Sequence, residues 1–102
     1  AAIDARLDLH GLHQEAAHRR LIGFLAVAQR RGDRVVLVIT GKGSPDADTD
    51  FLAGGRRGVL RRLVPLWLSE PALRTVVIGF SEAHISHGGA GALYVRLRKA
   101  RR

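Results

Sequence analysis

The chain has 102 residues, 46% of them hydrophobic, so it is long enough for one domain with a single core and too apolar for wholesale disorder. The absence of cysteine excludes disulfides and thiolate metal sites, no apolar run reaches the length of a membrane span, and no basic-then-apolar leader opens the chain. A net charge of +8 favours a polyanionic partner, with nucleic acid ahead of an acidic protein or membrane surface. We therefore expect a cytoplasmic domain that binds nucleic acid and has neither a membrane association nor a disulfide partner. The chain opens with Ala1 rather than Met, which indicates either a fragment or a processed product.

The first predicted element is a short strand over Arg6–Gly11. Leu7 and Leu9 alternate with Asp8 and His10, so the two-residue period of a strand places the leucines on one face and the polar pair on the other. A carboxylate and an imidazole at a strand end can orient a tautomer, share a proton or bind a metal. Taken alone, such a pair is more often a solvated ion pair without function.

The pattern then becomes helical. Apolar residues recur at three- and four-residue steps over His13–Arg31, which predicts a helix that stops at Gly32. The segment Arg34–Thr40 is apolar and β-branched without alternation, as in a strand buried on both faces beneath crossover helices. Strand, helix and strand in this spacing predict a parallel pair with a right-handed crossover.

A long polar loop and a second helix follow. The loop over Gly41–Gly55 is unusually long for a compact domain, which indicates a functional or mobile segment. A second apolar stripe predicts a helix over Arg57–Ser69, with a kink or a restart at Pro65 and with Pro71 beyond its end.

Two more strands are predicted in the last third of the chain. They cover Thr75–Phe80 and Ala92–Leu97, joined by a loop over Ser81–Gly89 that is too short for a helix, so they should form an antiparallel hairpin. Trp67 and Tyr94 are expected to be core or half-buried packing residues.

The resulting order is β-α-β-α-β-β. It predicts a two-layer α/β (α+β) fold in which a mixed four-stranded sheet carries two helices. We expect one domain over residues 1–102, with a core of about 6–98 and a basic tail at 99–102.

This topology gathers the polar strand ends at one edge of the sheet, because three parallel strands end where the antiparallel last strand begins. Ligands of open α/β sheets bind beyond such strand ends, helix N-termini favour anions there, and glycine turns allow backbone N–H groups to approach phosphate. The composition of the edge suits a phosphodiester substrate. The residues gathered there are Asp8, His10, Thr40, Gly41, Lys42, Gly43, Arg56, Arg57, His87, Gly88, Gly89 and Gly91.

The sequence argues against a structural zinc site and predicts only a transiently bound Mg²⁺ or Mn²⁺. The pairs His10/His13 and His84/His87 have His-x-x-His spacing, but they lie at strand ends and in loops without a supporting cysteine, which argues against structural zinc. Mg²⁺ or Mn²⁺ held transiently by Asp8 and a substrate phosphate fits the preference of these ions for oxygen ligands.

Four segments together resemble the Smr (small MutS-related) domain family. The family's LDxHG, TGxG, GVLR and HGGxGAxxV motifs stand at Leu7–Gly11, Thr40–Gly43, Gly58–Arg61 and His87–Val95, in the right order and across nearly the whole chain. The resemblance implies a fold like the C-terminal domain of a bacterial translation initiation factor, nucleic-acid binding and, in many members, endonuclease activity on DNA or RNA. No MutS ATPase is present in this sequence, so the stand-alone bacterial type, or its Smr segment, is expected.

The leading hypothesis is a phosphodiester endonuclease. His10 is the candidate general acid/base, Asp8 orients it or binds a metal, and His87 is a second acid/base or a phosphate ligand. The glycines of Gly41–Gly43 and Gly88–Gly91 would hold phosphate through backbone N–H groups. The basic residues that would position the nucleic acid are Arg6, Lys42, Arg56, Arg57 and Arg61.

The chemistry depends on the substrate. RNA allows metal-free cleavage through its 2′-hydroxyl, whereas DNA requires an external nucleophile such as a metal-activated water. One alternative is a non-catalytic nucleic-acid-binding module in which Asp8 and His10 are a structural pair. Another is a protein-interaction domain, for instance one that docks on ribosomes.

Overall fold

Four strands form one mixed sheet in the part of the chain that the computed structural model describes, residues 2–41 and 58–100. They are β1 (Ala5–Asp8), β2 (Val35–Ile39), β3 (Val77–Glu82) and β4 (Ala92–Leu97). The order across the sheet is β1-β2-β4-β3; β1 and β2 are parallel, and β4 is antiparallel to both of its neighbours. The first three strands therefore end at the edge where β4 begins, as the sequence predicts.

The helices pack on this sheet as one layer. They are α1 (Gln14–Arg31), α2 (Val59–Leu68) and the single-turn α3 (Pro71–Arg74), and two 3₁₀ turns (Ile85–His87 and Gly89–Gly91) precede β4. The predicted β-α-β-α-β-β order is confirmed, with α3 and the 3₁₀ turns as additions. Across residues 2–41 and 58–100, each helix is too short or too polar to cross a membrane.

The long helix α1 follows its apolar stripe. Ala17, Leu21 and Ala28 are buried on one side of it, because residues three and four apart share a helical face. The helix stops where Gly32 adopts a left-handed conformation with a φ of 91°, and the N–H of Asp33 then donates to the carbonyl of Ala28. This is the glycine-terminated stop that the sequence predicts.

The main core lies between the sheet and the helical layer, and a smaller cluster covers the other face of the sheet. The smaller cluster consists of Leu37, Ala83 and Ala92, with Ile39 and Tyr94 among the partly buried side chains around it. Strand β2 is thus buried on both faces, as predicted. The helices cover one face, as the two-layer prediction requires, and the small side chains of Ala83 and Ala92 shield Leu37 on the other.

Helix α2 continues through Pro65 without a restart. It runs unbroken from Val59 to Leu68, and buried Leu60, Val64 and Leu68 hold it against the core, which offsets the hydrogen bond that Pro65 cannot donate. The chain restarts later, at Pro71, where the first position of α3 needs no N–H donor.

Strand β3 begins two residues later than predicted. The hydroxyl of Thr75 donates to the carbonyl of Ala72 at 2.8 Å and so closes α3, which leaves Val77 as the first strand residue. The last strand matches its prediction at both ends. Most of the loop predicted over Gly41–Gly55 lies outside the described residues.

Candidate active site

Asp8 and His10 form a direct pair where β1 ends. One Asp8 carboxylate oxygen, Oδ1, accepts the backbone N–H of His10 at 3.0 Å and lies 2.6 Å from His10 Nδ1. Leu7 and Leu9 are buried, while the Asp8 and His10 side chains are 50% and 67% exposed, so the predicted division between faces is correct. The predicted strand end at Gly11 was wrong: β1 stops at Asp8 because its carboxylate caps the following turn.

The electrostatics of the pair fix the orientation of the imidazole. Partial burial opposes ionisation of Asp8, but hydrogen bonds from the His10 side chain and backbone outweigh it, and the net effect lowers the pKa of the carboxyl. An ionised carboxylate can only accept, so His10 Nδ1 carries the hydrogen between them. In the neutral imidazole, His10 Nε2 is then a bare proton acceptor turned away from Asp8.

The end of β2 is tied to the start of β4 through one carbonyl. The Gly91 oxygen accepts the N–H groups of Thr40 at 2.8 Å and Gly41 at 3.0 Å, and the Thr40 hydroxyl lies 3.3 Å from it. Gly41 has a φ of +85°, and a Cβ placed on it would lie 3.2 Å from the Cβ of His10. The first glycine turn therefore packs directly against the Asp8–His10 pair.

The structure corrects how the glycines act. The N–H groups of Gly41, Gly88, Gly89 and Gly91 donate to carbonyls of the chain, so the prediction that these donors face phosphate was wrong. Glycine is required instead for turn geometry. At Gly88 the φ is +116° and a Cβ would lie 3.0 Å from that of Ala92.

The second imidazole of the edge, His87, has a partner that the sequence reasoning missed. His87 Nδ1 lies 2.7 Å from the hydroxyl of Tyr94, and this hydroxyl accepts the backbone N–H of His84 at 3.0 Å. Tyr94 is half-buried as expected, but it is more than a packing residue. The alternation of β4 could have indicated this, because it turns Tyr94 away from core-facing Val95 while a half-buried hydroxyl needs a partner.

The remaining predicted residues are more dispersed. Arg6 is exposed two residues before Asp8 on the same face of β1, Thr40 is buried beneath its turn, and Arg61 is exposed in α2. Thr40 therefore acts by holding the turn. Four predicted residues lie outside the described part of the chain: Lys42, Gly43, Arg56 and Arg57.

A metal ion at Asp8 stays a prediction. Within residues 2–41 and 58–100, no group of three or more His, Cys, Asp or Glu side chains is placed to hold a metal. Mg²⁺ bound here would rely on Asp8, substrate phosphate and water, since Asp8 Oδ1 already accepts two hydrogen bonds.

Comparison with known proteins decides the family. The Smr domain family model matches residues 7–98. The chain belongs to the Smr family. Residues Asp8, His10, His87 and Tyr94 all lie within the matched range, so the contacts described above are internal to this Smr domain.

Relatives of known name and solved structures agree with this assignment. Ribosome rescue factor SmrB of Aliivibrio fischeri (strain MJ11) is 31% identical over 92% of the chain, and that of Vibrio cholerae serotype O1 (strain M66-2) is likewise 31% identical over 92%. The chain spans less than half of these relatives, 44% and 42% of their lengths.

The fold is shared with two solved Smr structures. The Smr domain of Thermus thermophilus MutS2 superposes with a TM-score of 0.69 at 27% identity, covering 92% of this chain and 98% of that one. YdaL, a stand-alone small MutS-related protein from Escherichia coli, superposes with a TM-score of 0.65 at 30% identity. The match covers 92% of this chain and 64% of the YdaL chain. The predicted fold class is confirmed.

Substituting Gly41 should disturb His10. Gly41→Ala and Gly32→Ala both place a Cβ at positive φ, which costs roughly 1–2 kcal/mol of stability. Only the new Cβ at position 41 meets another residue, so His10 must move in that variant alone. NMR spectra of the histidine rings should show a shifted His10 in Gly41→Ala and an unchanged one in Gly32→Ala; equal spectra would disprove the contact.

Stability should depend on the ionisation of Asp8. Its pKa is lowered by folding, so the pair contributes above the carboxyl's ordinary pKa near 4 and is lost as pH falls through the lower folded value. Because the pair is half exposed, the contribution should be at most about 1 kcal/mol. An NMR titration of the Asp8 carboxyl checks this, and in His10→Ala its pKa should rise. A wild-type value at or above the ordinary one would contradict the prediction.

Proposed function

We propose that this Smr domain acts at the ribosome and binds RNA along the sheet edge that carries Asp8, His10 and His87. The observation that carries the proposal is the alignment of 92% of the chain with proteins named ribosome rescue factor SmrB. The matched family range, residues 7–98, includes all three side chains. A ribosomal target would place the domain in the cytoplasm.

The charge of the chain supports an RNA target. Its net charge of +8 attracts phosphate backbones at long range. Exposed Arg6 lies on the same face as Asp8, and a guanidinium can bind a phosphate in a bidentate manner. Backbone contacts of this kind give affinity and position rather than base specificity.

The test is co-sedimentation of the domain alone with ribosomes, together with its binding to single-stranded RNA at increasing salt. Because the experiment uses this domain alone, any binding comes from the Smr domain and not from the additional segments that the longer relatives contain. Log affinity should fall against log salt with a slope of about −0.7 per phosphate contacted. Arg6→Ala should reduce that slope by about one contact, while Arg19→Ala, an exposed arginine on α1, should leave it unchanged. If the domain binds neither ribosomes nor RNA at low salt, the proposal is disproved.

A second candidate function, phosphodiester cleavage, is favoured by the geometry of the Asp8–His10 pair. With RNA, His10 Nε2 would take the proton of a 2′-hydroxyl, and the oxygen would attack the adjacent phosphorus. The P–O bond to the next 5′-oxygen would break, giving a cyclic phosphate and a 5′-hydroxyl protonated from solvent. Asp8 would stabilise the imidazolium formed in the first step. DNA lacks the 2′-hydroxyl and would need an activated water instead.

His10→Ala should separate cleavage from binding. Loss of a general base lowers the rate by about 10²–10⁴-fold, whereas RNA affinity should change little because the net charge of +8 and exposed Arg6, which attract the phosphate backbone, are unchanged. His13→Ala is the matched control, since His13 is exposed and its side chain does not cap α1.

The substrates for this experiment are single-stranded RNA, structured RNA and branched DNA, each with and without EDTA. Cleavage of RNA in EDTA would support the 2′-hydroxyl route. A wild-type domain that binds these substrates but cleaves none would exclude the nuclease and leave the non-catalytic binding module.

A further inference from the structure

The hydrogen bonds around the Tyr94 hydroxyl form a short directed chain. A backbone N–H can only donate, so His84 donates to the Tyr94 oxygen, at 3.0 Å. The oxygen's own hydrogen then needs an acceptor, and His87 Nδ1 lies 2.7 Å away. All three groups are satisfied if the proton of a neutral His87 sits on the other nitrogen, Nε2.

The reverse arrangement is less favourable. If His87 Nδ1 carried the hydrogen, the Tyr94 oxygen would accept two hydrogen bonds, from His84 and from His87. The hydroxyl's own hydrogen would then have to point to solvent. Hydrogen bonds that run in one direction polarise and strengthen one another, which favours the sequence His84 N–H, Tyr94 O–H, His87 Nδ1.

We propose that Tyr94 is a positioning residue that fixes His87 as its Nε2–H tautomer, so that His87 donates a hydrogen bond to a phosphate oxygen of RNA. The ligand part of this proposal rests on the proposed function; the tautomer does not. Of the two roles predicted for His87, phosphate ligand and second acid/base, the geometry points to the first.

The chemistry of a neutral imidazole supports this choice. Giving up the Nε2 proton would leave an imidazolate, whereas sharing it in a hydrogen bond with an anionic oxygen costs no charge separation. His10 differs because its Nδ1 faces a carboxylate, which leaves Nε2 bare. His10 thus offers RNA an acceptor, whereas His87 offers it a donor.

The loop that carries His87 is preorganised for this role. The His87 N–H donates to the His84 carbonyl at 2.7 Å, and the Gly89 N–H donates to the same carbonyl at 3.1 Å. The His87 and Tyr94 rings also pack edge to face, with centroids 5.7 Å apart. A donor held in this way can contribute to binding without paying the full entropy of ordering its side chain.

The tautomer is tested by long-range ¹H–¹⁵N NMR of the imidazoles at a pH where both histidines are neutral. We expect wild-type His87 protonated on Nε2 and His10 protonated on Nδ1, each serving as a reference for the other. Tyr94→Phe keeps the ring and removes the hydroxyl, so it should shift the His87 population toward a mixture of tautomers. Ser86→Ala is the matched control, because that hydroxyl contacts His84 at 2.8 Å instead. Protonation of wild-type His87 on Nδ1, or an unchanged tautomer in Tyr94→Phe, would overturn the proposal.

The ligand role is tested by His87→Gln and His87→Leu in RNA-binding titrations. A glutamine amide can place a donor near the position of Nε2 but cannot transfer a proton at neutral pH. We expect His87→Gln to bind within about threefold of wild type and His87→Leu about tenfold more weakly, the loss of one hydrogen bond to a charged group.

Equal losses in the two His87 variants would overturn the ligand role. If the wild type shows the Nε2–H tautomer but binds no RNA, the proposed function and the ligand role both fail and the role of Tyr94 in setting the tautomer survives. The two failures are therefore distinguishable.

Discussion

The candidate site depends on how the sheet edge is closed by backbone hydrogen bonds. The Gly91 carbonyl joins the turn after β2 to the turn before β4, and the N–H of Leu9 donates to Ile39 to hold the end of β1 beside them. Because β4 inserts between β2 and β3, these bonds bring segments about fifty residues apart into one strip. The glycines matter for the close packing of this strip. Gly41 lies against His10, and Gly88 lies against Ala92.

Much of the architecture follows from periodicity in the sequence. Alternation at β1, the stripe of α1 and the short last connection together predict the strand directions and the edge where the polar residues meet. Local hydrogen bonds decided what periodicity could not. The carboxylate of Asp8 ended β1 early, and the hydroxyl of Thr75 delayed β3. Packing of α2 overrode the local preference of Pro65, which no window of sequence around the proline could indicate.

Topology predicted where the candidate residues lie better than it predicted the contacts that they make. Asp8, His10 and His87 could be placed at one edge from topology alone. Whether a glycine N–H faces a ligand or a carbonyl depends on contacts between distant segments, so the phosphate-cradle prediction failed where Gly41 meets Gly91. Tyr94 differs, because its partner His87 lies only seven residues away, with the second 3₁₀ turn between them. The groups that face the two imidazoles are thus close in sequence, and the turns between them decide which ring nitrogen each group faces.

Fold stability and site chemistry are carried by different residues on the same strand. Leu7 and Leu9 are 5% and 0% exposed and anchor β1 in the core, while the side chains between and after them point to solvent. Burying a leucine contributes about 1.5–3 kcal/mol, whereas an exposed ion pair contributes little. The Asp8 carboxylate oxygen, which accepts both the backbone and the ring of His10, therefore holds the imidazole in place while the leucines hold the strand.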